Sequence, residues 1–119
     1  MKNISESELE VMQAIWKLGE TTSIEIVKEV SKKKGWEKNT IMTLVSRLVS
    51  KKFIEAKKRK GELILYKPLV KEDSYKVKET ENFLERMYEG SINDMLAGFA
   101  KSKKITKKDL EDLMKLIED

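Results

Sequence analysis

The chain has 119 residues, 39% of them charged, and it contains neither cysteine nor histidine. These absences exclude disulfide bonds and thiolate metal sites, and they remove the commonest general base and the commonest metal ligand. The net charge is +4, and residues 28–60 carry 12 basic and 3 acidic side chains. Such a concentration suits a polyanion-binding surface, although a solvated lysine-rich face has the same composition.

No apolar stretch approaches the roughly 20 residues that a membrane span requires. Residues 1–5 run directly into an acidic segment and lack the apolar core of a signal peptide. We therefore expect a cytoplasmic protein without membrane insertion, and we expect neither a cofactor nor a metal.

Two N-terminal helices are predicted from their caps and from their apolar spacing. Ser5 and Glu8 form a capping box, in which each side chain bonds to the backbone of the other residue, and Gly19 ends this helix. A second capping box, Thr22 with Glu25, opens the next helix. The apolar positions at helical spacing are Leu9, Met12, Ile15 and Trp16 in the first helix, and Ile26, Val27 and Val30 in the second.

The third helix, about residues 37–52, has two contrasting faces. One face is apolar at positions i, i+3, i+4, i+7 and i+8 and must contact a core. The opposite face has short side chains that donate and accept hydrogen bonds, unlike an ordinary solvent face of glutamate and lysine. The apolar face consists of Ile41, Leu44, Val45, Leu48 and Val49, and the polar face of Asn39, Met42, Thr43, Ser46 and Ser50, with Lys38, Thr40 and Arg47 beside it.

Two short extended runs follow, residues 54–58 and 63–67, and a turn that contains glycine separates them. Pro68 ends the second run, because proline cannot donate to a β-ladder. Three helices followed by a hairpin are typical of a winged helix-turn-helix. We therefore predict a winged-helix DNA-binding domain over residues 1–70.

Residues 71–119 are predicted to form three more helices, with breaks at Gly90 and residues 102–105 and caps at Ser91 and Thr106. Each helix carries an apolar stripe, and so short a segment cannot bury three stripes alone. We predict a dimerisation domain in which an identical copy covers the stripes; folding of these helices back onto the winged helix is the alternative. The predicted dimer interface consists of Phe83, Leu84, Met87, Ile92, Met95, Leu96, Phe99, Leu110, Leu113, Met114 and Ile117.

The predicted fold class is thus mainly α with a small β-hairpin wing.

The polar face of the third helix is predicted to contact bases in the major groove of DNA, which admits one α-helix. Asn39 can pair with adenine, Thr40 and Thr43 offer a hydroxyl and a methyl group to thymine, and Met42 lies on the same face. Phosphate contacts position a protein on DNA without reading its sequence. They are predicted for Lys38, Ser46 and Arg47 of the helix and for Lys57, Lys58, Arg59 and Lys60 of the wing.

Each of these roles has a structural alternative. Thr40 can support the start of the helix, Met42 can fill a gap, and Ser46 can hydrogen-bond to the carbonyl four residues earlier. A second class of function is a winged helix that binds protein within a larger assembly, with a different partner on the C-terminal stripes. An enzyme has almost no support, because histidine, cysteine and a glycine-rich phosphate loop are all absent.

The chain resembles the penicillinase and methicillin-resistance repressors (BlaI/MecI/CopY type) over almost its whole length. The most specific similarity is the segment Thr-Ile-x-Thr-Leu-x-x-Arg-Leu at residues 40–48. The other similar segments are residues 4–12, 15–16, 26–27, 66–70, 83–91 and 98–101.

The resemblance implies a homodimeric transcriptional repressor of resistance or stress genes that binds a palindromic DNA operator, with the third helix in the major groove. It carries the base contacts over to Asn39, Thr40, Met42 and Thr43. Two of these positions differ from the family pattern, which has lysine at the position of Asn39 and arginine at that of Met42. The operator sequence of the family is therefore not carried over to this chain.

Antibiotic-responsive members of this family are inactivated when a membrane sensor protease cuts an Asn-Phe bond in the dimerisation domain. The matching pair here is Gly98-Phe99, which makes this bond the candidate cleavage site and such a protease a candidate partner. The copper-responsive branch uses a C-terminal cysteine cluster, which this chain lacks, so copper sensing by that route is excluded.

Overall fold

The structure is a computed structural model, and it describes residues 3–59, 61 and 63–117. Within these residues it contains helices and one antiparallel hairpin, so the predicted class, mainly α with a small β-hairpin, is confirmed. The elements are α1 (Glu6–Leu18), α2 (Ser23–Lys34), α3 (Lys38–Ser50), β1 (Ile54–Lys58), β2 (Ile64–Pro68), α4 (Glu72–Tyr88), α5 (Ile92–Lys101) and α6 (Lys107–Ile117).

The predicted starts of α1 and α2 are confirmed by side-chain hydrogen bonds at their caps. The Ser5 hydroxyl accepts from the Glu8 N–H at 3.1 Å, and the Glu8 carboxylate accepts from the Ser5 N–H at 2.7 Å. Thr22 accepts from the Glu25 N–H at 3.4 Å, which is one half of the capping box predicted there. Gly19, with φ 75°, follows the last residue of α1, because a residue with a side chain rarely adopts a positive φ.

The core of the N-terminal part of the chain lies between α1, α2, α3 and the hairpin. The predicted apolar face of α3 is confirmed, with Val49 half-buried and the other four positions buried. The buried face of α1 differs from the predicted one: Val11, which is not among the predicted apolar positions, is fully buried, whereas Leu9 is half-buried. The fully buried apolar side chains are Val11, Met12, Ile15, Ile26, Val30, Ile41, Val45, Leu48, Phe53 and Ile54.

The hairpin pairs Ile54 with Pro68 at one end and Lys58 with Ile64 at the other. The predicted end of the second strand at Pro68 is confirmed, and Pro68 is itself the last residue of β2, a position where the missing N–H interrupts no interior ladder bond. Thr21, just before α2, also pairs with Tyr66 through two hydrogen bonds of 2.8 and 2.7 Å. The loop between α1 and α2 is therefore tied to β2.

The segment after β2 is fixed to the same core by two hydrogen bonds. The Leu69 N–H donates to the Phe53 carbonyl at 2.8 Å. The indole N–H of Trp16 donates to the Val70 carbonyl, also at 2.8 Å. The chain thus remains attached to the core for two residues beyond the hairpin.

The chain divides into two compact units, Met1–Ser74 and Tyr75–Asp119, whereas the sequence places the boundary at residues 70 and 71. In the second unit the predicted caps of α5 and α6 are confirmed. Ser91 accepts from the Asp94 N–H at 3.2 Å, and Thr106 accepts from the Asp109 N–H at 3.1 Å.

Candidate nucleic-acid interface

The exposed face of α3 is formed by the residues that the sequence predicts as base contacts. Asn39, Thr40 and Thr43 are exposed and Met42 is half-buried. The apolar face of the same helix is held in the core, so these four side chains are presented by a rigid element. Ser46 and Arg47 extend the exposed surface by one turn.

The hydroxyl of Thr43 donates a 2.9 Å hydrogen bond to the carbonyl of Asn39, one turn earlier. A back bond of this kind is the structural alternative predicted for Ser46, but the structure shows it at Thr43. Because its proton is used in this bond, the Thr43 oxygen remains able to accept a hydrogen bond from a ligand.

The wing presents a row of cations at the end of β1 and at the residue that follows it. Lys57, Lys58 and Arg59 are all exposed. The backbone N–H of Arg59 donates to the Leu63 carbonyl at 2.7 Å, so the two sides of the hairpin stay hydrogen-bonded beyond β1. The Arg59 guanidinium lies 3.6 Å from the carboxylate of Glu20. Lys60, the fourth predicted wing contact, lies outside the described residues.

Both α3 and the wing carry exposed cations that no carboxylate neutralises within the described residues. Lys38, Arg47, Lys57 and Lys58 form no ion pair with any residue that the structure describes. On the surface of α1 and α2, three cations form ion pairs with neighbouring carboxylates, whereas Lys28 and Lys32 of α2 form none with the described residues. The pairs there are Lys17–Glu29 at 3.2 Å, Lys33–Glu10 at 3.3 Å and Lys34–Glu10 at 3.8 Å.

A groove of about 340 Å³ separates α3 from the hairpin. Ser46 and Ser50 line it from the helix, and Ala56 and Tyr66 line it from the strands. Ser46, Ser50 and Ala56 are small and leave the groove open. The helix face and the wing therefore form two adjacent surfaces with this groove between them.

A buried carboxylate holds the end of α3 against the start of α1. Glu8 is 2% exposed and accepts a 2.7 Å hydrogen bond from Lys51, the residue that follows α3. The Lys51 ammonium also donates to the Asn3 carbonyl at 3.1 Å. Burial raises the pKa of the Glu8 carboxyl, but hydrogen bonds from Lys51 and Ser5 and the charge of Lys51 outweigh it, so the pKa lies below its ordinary value.

The turn that leads into α3 is fixed by a second side-chain contact. The Ser31 hydroxyl donates to the Trp36 carbonyl at 3.0 Å, and the Lys34 ammonium lies 5.9 Å from the centre of the Trp36 ring. Neither this contact nor the Glu8–Lys51 pair is predicted from the sequence, because each joins a helix to a residue outside that helix.

In the second unit, the residues of the predicted dimer interface remain accessible. Leu84, Met95 and Leu96 are half-buried and the others are exposed, including Phe99 at 41% and Met114 at 55%. Val77, Leu84, Ile92 and Met95 line an apolar cavity of about 320 Å³. The Gly98 carbonyl accepts from the Ser102 N–H at 3.1 Å, so the Gly98-Phe99 bond lies in helical backbone.

Among the described residues there is no group of three or more carboxylates placed to hold a metal ion. Their helices are also too short or too polar to cross a membrane.

Comparison with known proteins gives a match along nearly the whole chain. The family model described as penicillinase repressor matches residues 4–119. The penicillinase repressor of Bacillus licheniformis is 33% identical over 116 residues, which cover 98% of this chain and 90% of that protein. The methicillin resistance regulatory protein MecI of Staphylococcus aureus (strain N315) is 32% identical over 114 residues, 96% of this chain and 92% of that one.

A solved structure is similar to the N-terminal part of the chain. It is the solution structure of the monomeric form of Bacillus licheniformis BlaI in complex with the blaP half-operator. The identity is 38% and the TM-score 0.54, and the match covers 62% of this chain and 89% of that one.

Proposed function

This chain belongs to the penicillinase repressor family, and we propose on that premise that it is a transcriptional repressor that binds operator DNA in the cytoplasm. The observation that carries the proposal is the exposed face of α3, where short polar side chains stand between the unpaired cations Lys38 and Arg47. A helix of this kind fits the major groove, which presents hydrogen-bonding base edges and thymine methyl groups. The similar monomeric form of BlaI has been solved in complex with the blaP half-operator.

Within this function, we assign base contacts to Asn39, Thr40, Met42 and Thr43. All four lie in the first half of α3, and residues near the N-terminus of a recognition helix lie deepest in the groove. The absence of charge among them removes the bidentate arginine–guanine contact from this set. The operator is therefore read here by amide, hydroxyl and methyl groups.

Phosphate contacts are assigned to the cations and the hydroxyl around this face. The wing and α3 flank an open groove, so a DNA strand can be contacted from both sides. The residues assigned are Lys38, Ser46, Arg47, Lys57, Lys58, Arg59 and Lys60.

We also propose that the protein acts as a homodimer on a two-fold symmetric operator. Support comes from the second unit, whose three helices leave most of their apolar positions exposed. A second copy offers an identical set of stripes, and a two-fold axis brings them together. A dimer of this kind places two recognition helices on two half-sites of a palindrome.

We also propose that a membrane sensor protease cleaves the Gly98-Phe99 bond and thereby regulates the protein. The bond lies inside α5, a helix that carries four of the proposed interface residues. Cleavage there would remove part of the dimer surface. Because the bond is helical, α5 must unwind before an extended-chain protease can bind it.

The test of the proposed function is selection of binding sites from a random DNA pool, followed by affinity measurements at several salt concentrations. We expect an enriched site with two-fold symmetry and half-sites spaced by about 10 bp or a multiple. A Lys57→Ala/Lys58→Ala variant should enrich the same sequence with lower affinity, since phosphate contacts do not specify sequence. Absence of enrichment together with salt-independent binding would contradict the proposal and favour a protein partner.

A further inference from the structure

Glu20 lies beside the basic wing, in the loop between α1 and α2. Its Oε1 atom is 3.6 Å from Nη2 of Arg59. Arg59 is one of the residues to which the proposed function assigns a phosphate contact. A carboxylate and a phosphate offer a guanidinium the same kind of anionic oxygen acceptor, so both can occupy the same side of Arg59.

Backbone hydrogen bonds on both sides of Glu20 fix its position. The Gly19 N–H donates to the Ile15 carbonyl at 2.8 Å, and Thr21 exchanges two hydrogen bonds with Tyr66 of β2. Arg59 is anchored in turn by its N–H bond to the Leu63 carbonyl. The carboxylate and the guanidinium are therefore brought together by the fold itself.

We propose that Glu20 is an internal competitor of DNA phosphate for Arg59, and that it lowers the affinity of the wing for DNA. The inference rests on the proposed function. The side chains of Arg59 and Glu20 are 52% and 47% exposed, so a phosphate can reach the guanidinium, but only by weakening the ion pair. Lys57 and Lys58 have no such pair within the described residues, and they bind phosphate without this cost.

The expected effect is on affinity and not on sequence preference. Exposed ion pairs of this kind change an equilibrium by roughly 1.4- to 5-fold. Contacts to phosphate carry no base information, so Glu20 lowers the affinity for operator DNA and for random DNA by the same factor. A repressor with this feature dissociates more readily while it still selects the same site.

The test is a double-mutant cycle on the full chain, with fluorescence anisotropy of a random-sequence duplex of about two helical turns. The proteins are the wild type, Glu20→Gln, Arg59→Ala and the double variant. We expect Glu20→Gln to bind about 1.4- to 5-fold tighter than the wild type. In the Arg59→Ala background the same substitution should have almost no effect, because the competed group is gone.

Glu55→Gln serves as the matched control. Glu55 forms an ion pair of the same 3.6 Å length with Lys67, and the exposures are similar, 41% and 49%. Glu55→Gln removes one negative charge from the hairpin, as Glu20→Gln removes one beside it, but leaves the ion-pair partner of Arg59 in place. Its effect on DNA affinity should be the same with and without Arg59.

Three results would overturn the inference: a gain from Glu20→Gln that persists in the Arg59→Ala background, unchanged affinity, or weaker binding. The first would show general repulsion of DNA, and the last would show that Glu20 orients Arg59 towards DNA. Failure of the proposed function itself is distinguishable, because the wild type would then show no salt-dependent binding to the duplex, and the inference would fall with it.

Discussion

The carboxylate of Glu8 lies 2.7 Å from the ammonium of Lys51 and joins the first turn of α1 to the residue that follows α3. Glu8 also closes the capping box with Ser5. One buried carboxylate therefore caps the start of α1 and holds the residue that follows the end of α3. Because α3 carries the proposed base contacts, the position of the proposed DNA-binding surface depends on an ion pair at the far end of that helix.

Substitution of Glu8 tests this relationship through its pH dependence. Glu8→Gln should lower the free energy of unfolding at pH 7 by about 1–3 kcal/mol, because the hydrogen bond from Lys51 loses its charged acceptor. The pKa of Glu8 is lowered in the folded state, so its contribution is complete above the ordinary carboxyl range and is lost as the pH falls through the folded pKa. Urea unfolding between pH 7 and pH 3 measures both quantities.

The control for this experiment is Glu6→Gln, an exposed carboxylate in the same first turn. Its effect on stability should stay within about 0.5 kcal/mol. The stability difference between wild type and Glu8→Gln should shrink towards low pH. A difference that stays constant down to pH 3 would contradict the role assigned to the Glu8 charge.

Thr43→Ala tests base reading by α3. We expect specific binding to weaken by roughly 1–3 kcal/mol with little change in affinity for random DNA. Thr80→Ala is the matched control, since Thr80 makes the same back bond, to the Lys76 carbonyl at 2.7 Å, but lies in α4. Equal losses on selected and random duplexes would exclude a base contact by Thr43.

Arg59→Ala tests phosphate binding by the wing. Affinity for selected and random DNA should fall by the same factor, and the slope of log affinity against log salt should decrease by roughly 1. Lys108→Ala, which removes an exposed cation from α6, should leave the slope unchanged. If the two variants have the same slope, Arg59 does not contact phosphate.

Leu96→Glu and Phe99→Glu test the proposed dimer. A buried, unpaired carboxylate at a two-fold interface is present twice and strongly disfavours association. Sedimentation should show monomers for these variants. Ala97→Glu introduces the same charge at an exposed position on another side of α5 and should remain dimeric; dimers for all three would place the interface elsewhere.

The local features of this fold follow from short stretches of sequence. The cap at Ser5 and the cap at Thr22 depend on residues three positions apart, and the buried face of α3 depends on helical periodicity. In such patterns the interacting residues lie close together in the sequence. For that reason these helix starts and the core face of α3 can be predicted from the amino-acid sequence alone.

Contacts between distant residues cannot be predicted in this way. Glu8 and Lys51 are 43 positions apart and Trp16 and Val70 are 54 apart, and periodicity does not say which elements meet. The ion pair of Arg59 escapes prediction for the same reason. The sequence therefore predicts which residues are exposed on the proposed DNA-binding surface, but not which of them already form ion pairs or hydrogen bonds with other residues of the protein.

The hydrogen bonds of Leu69 and Val70 have a practical consequence for dividing the chain. A fragment that stops at Pro68 keeps every strand and the first three helices but loses the bonds to Phe53 and Trp16. Trp16 would then lose the Val70 carbonyl that accepts its indole N–H in the intact chain. The smallest fragment that retains the native surroundings of this tryptophan ends at or beyond Val70, so its fluorescence can report whether a shortened repressor is intact.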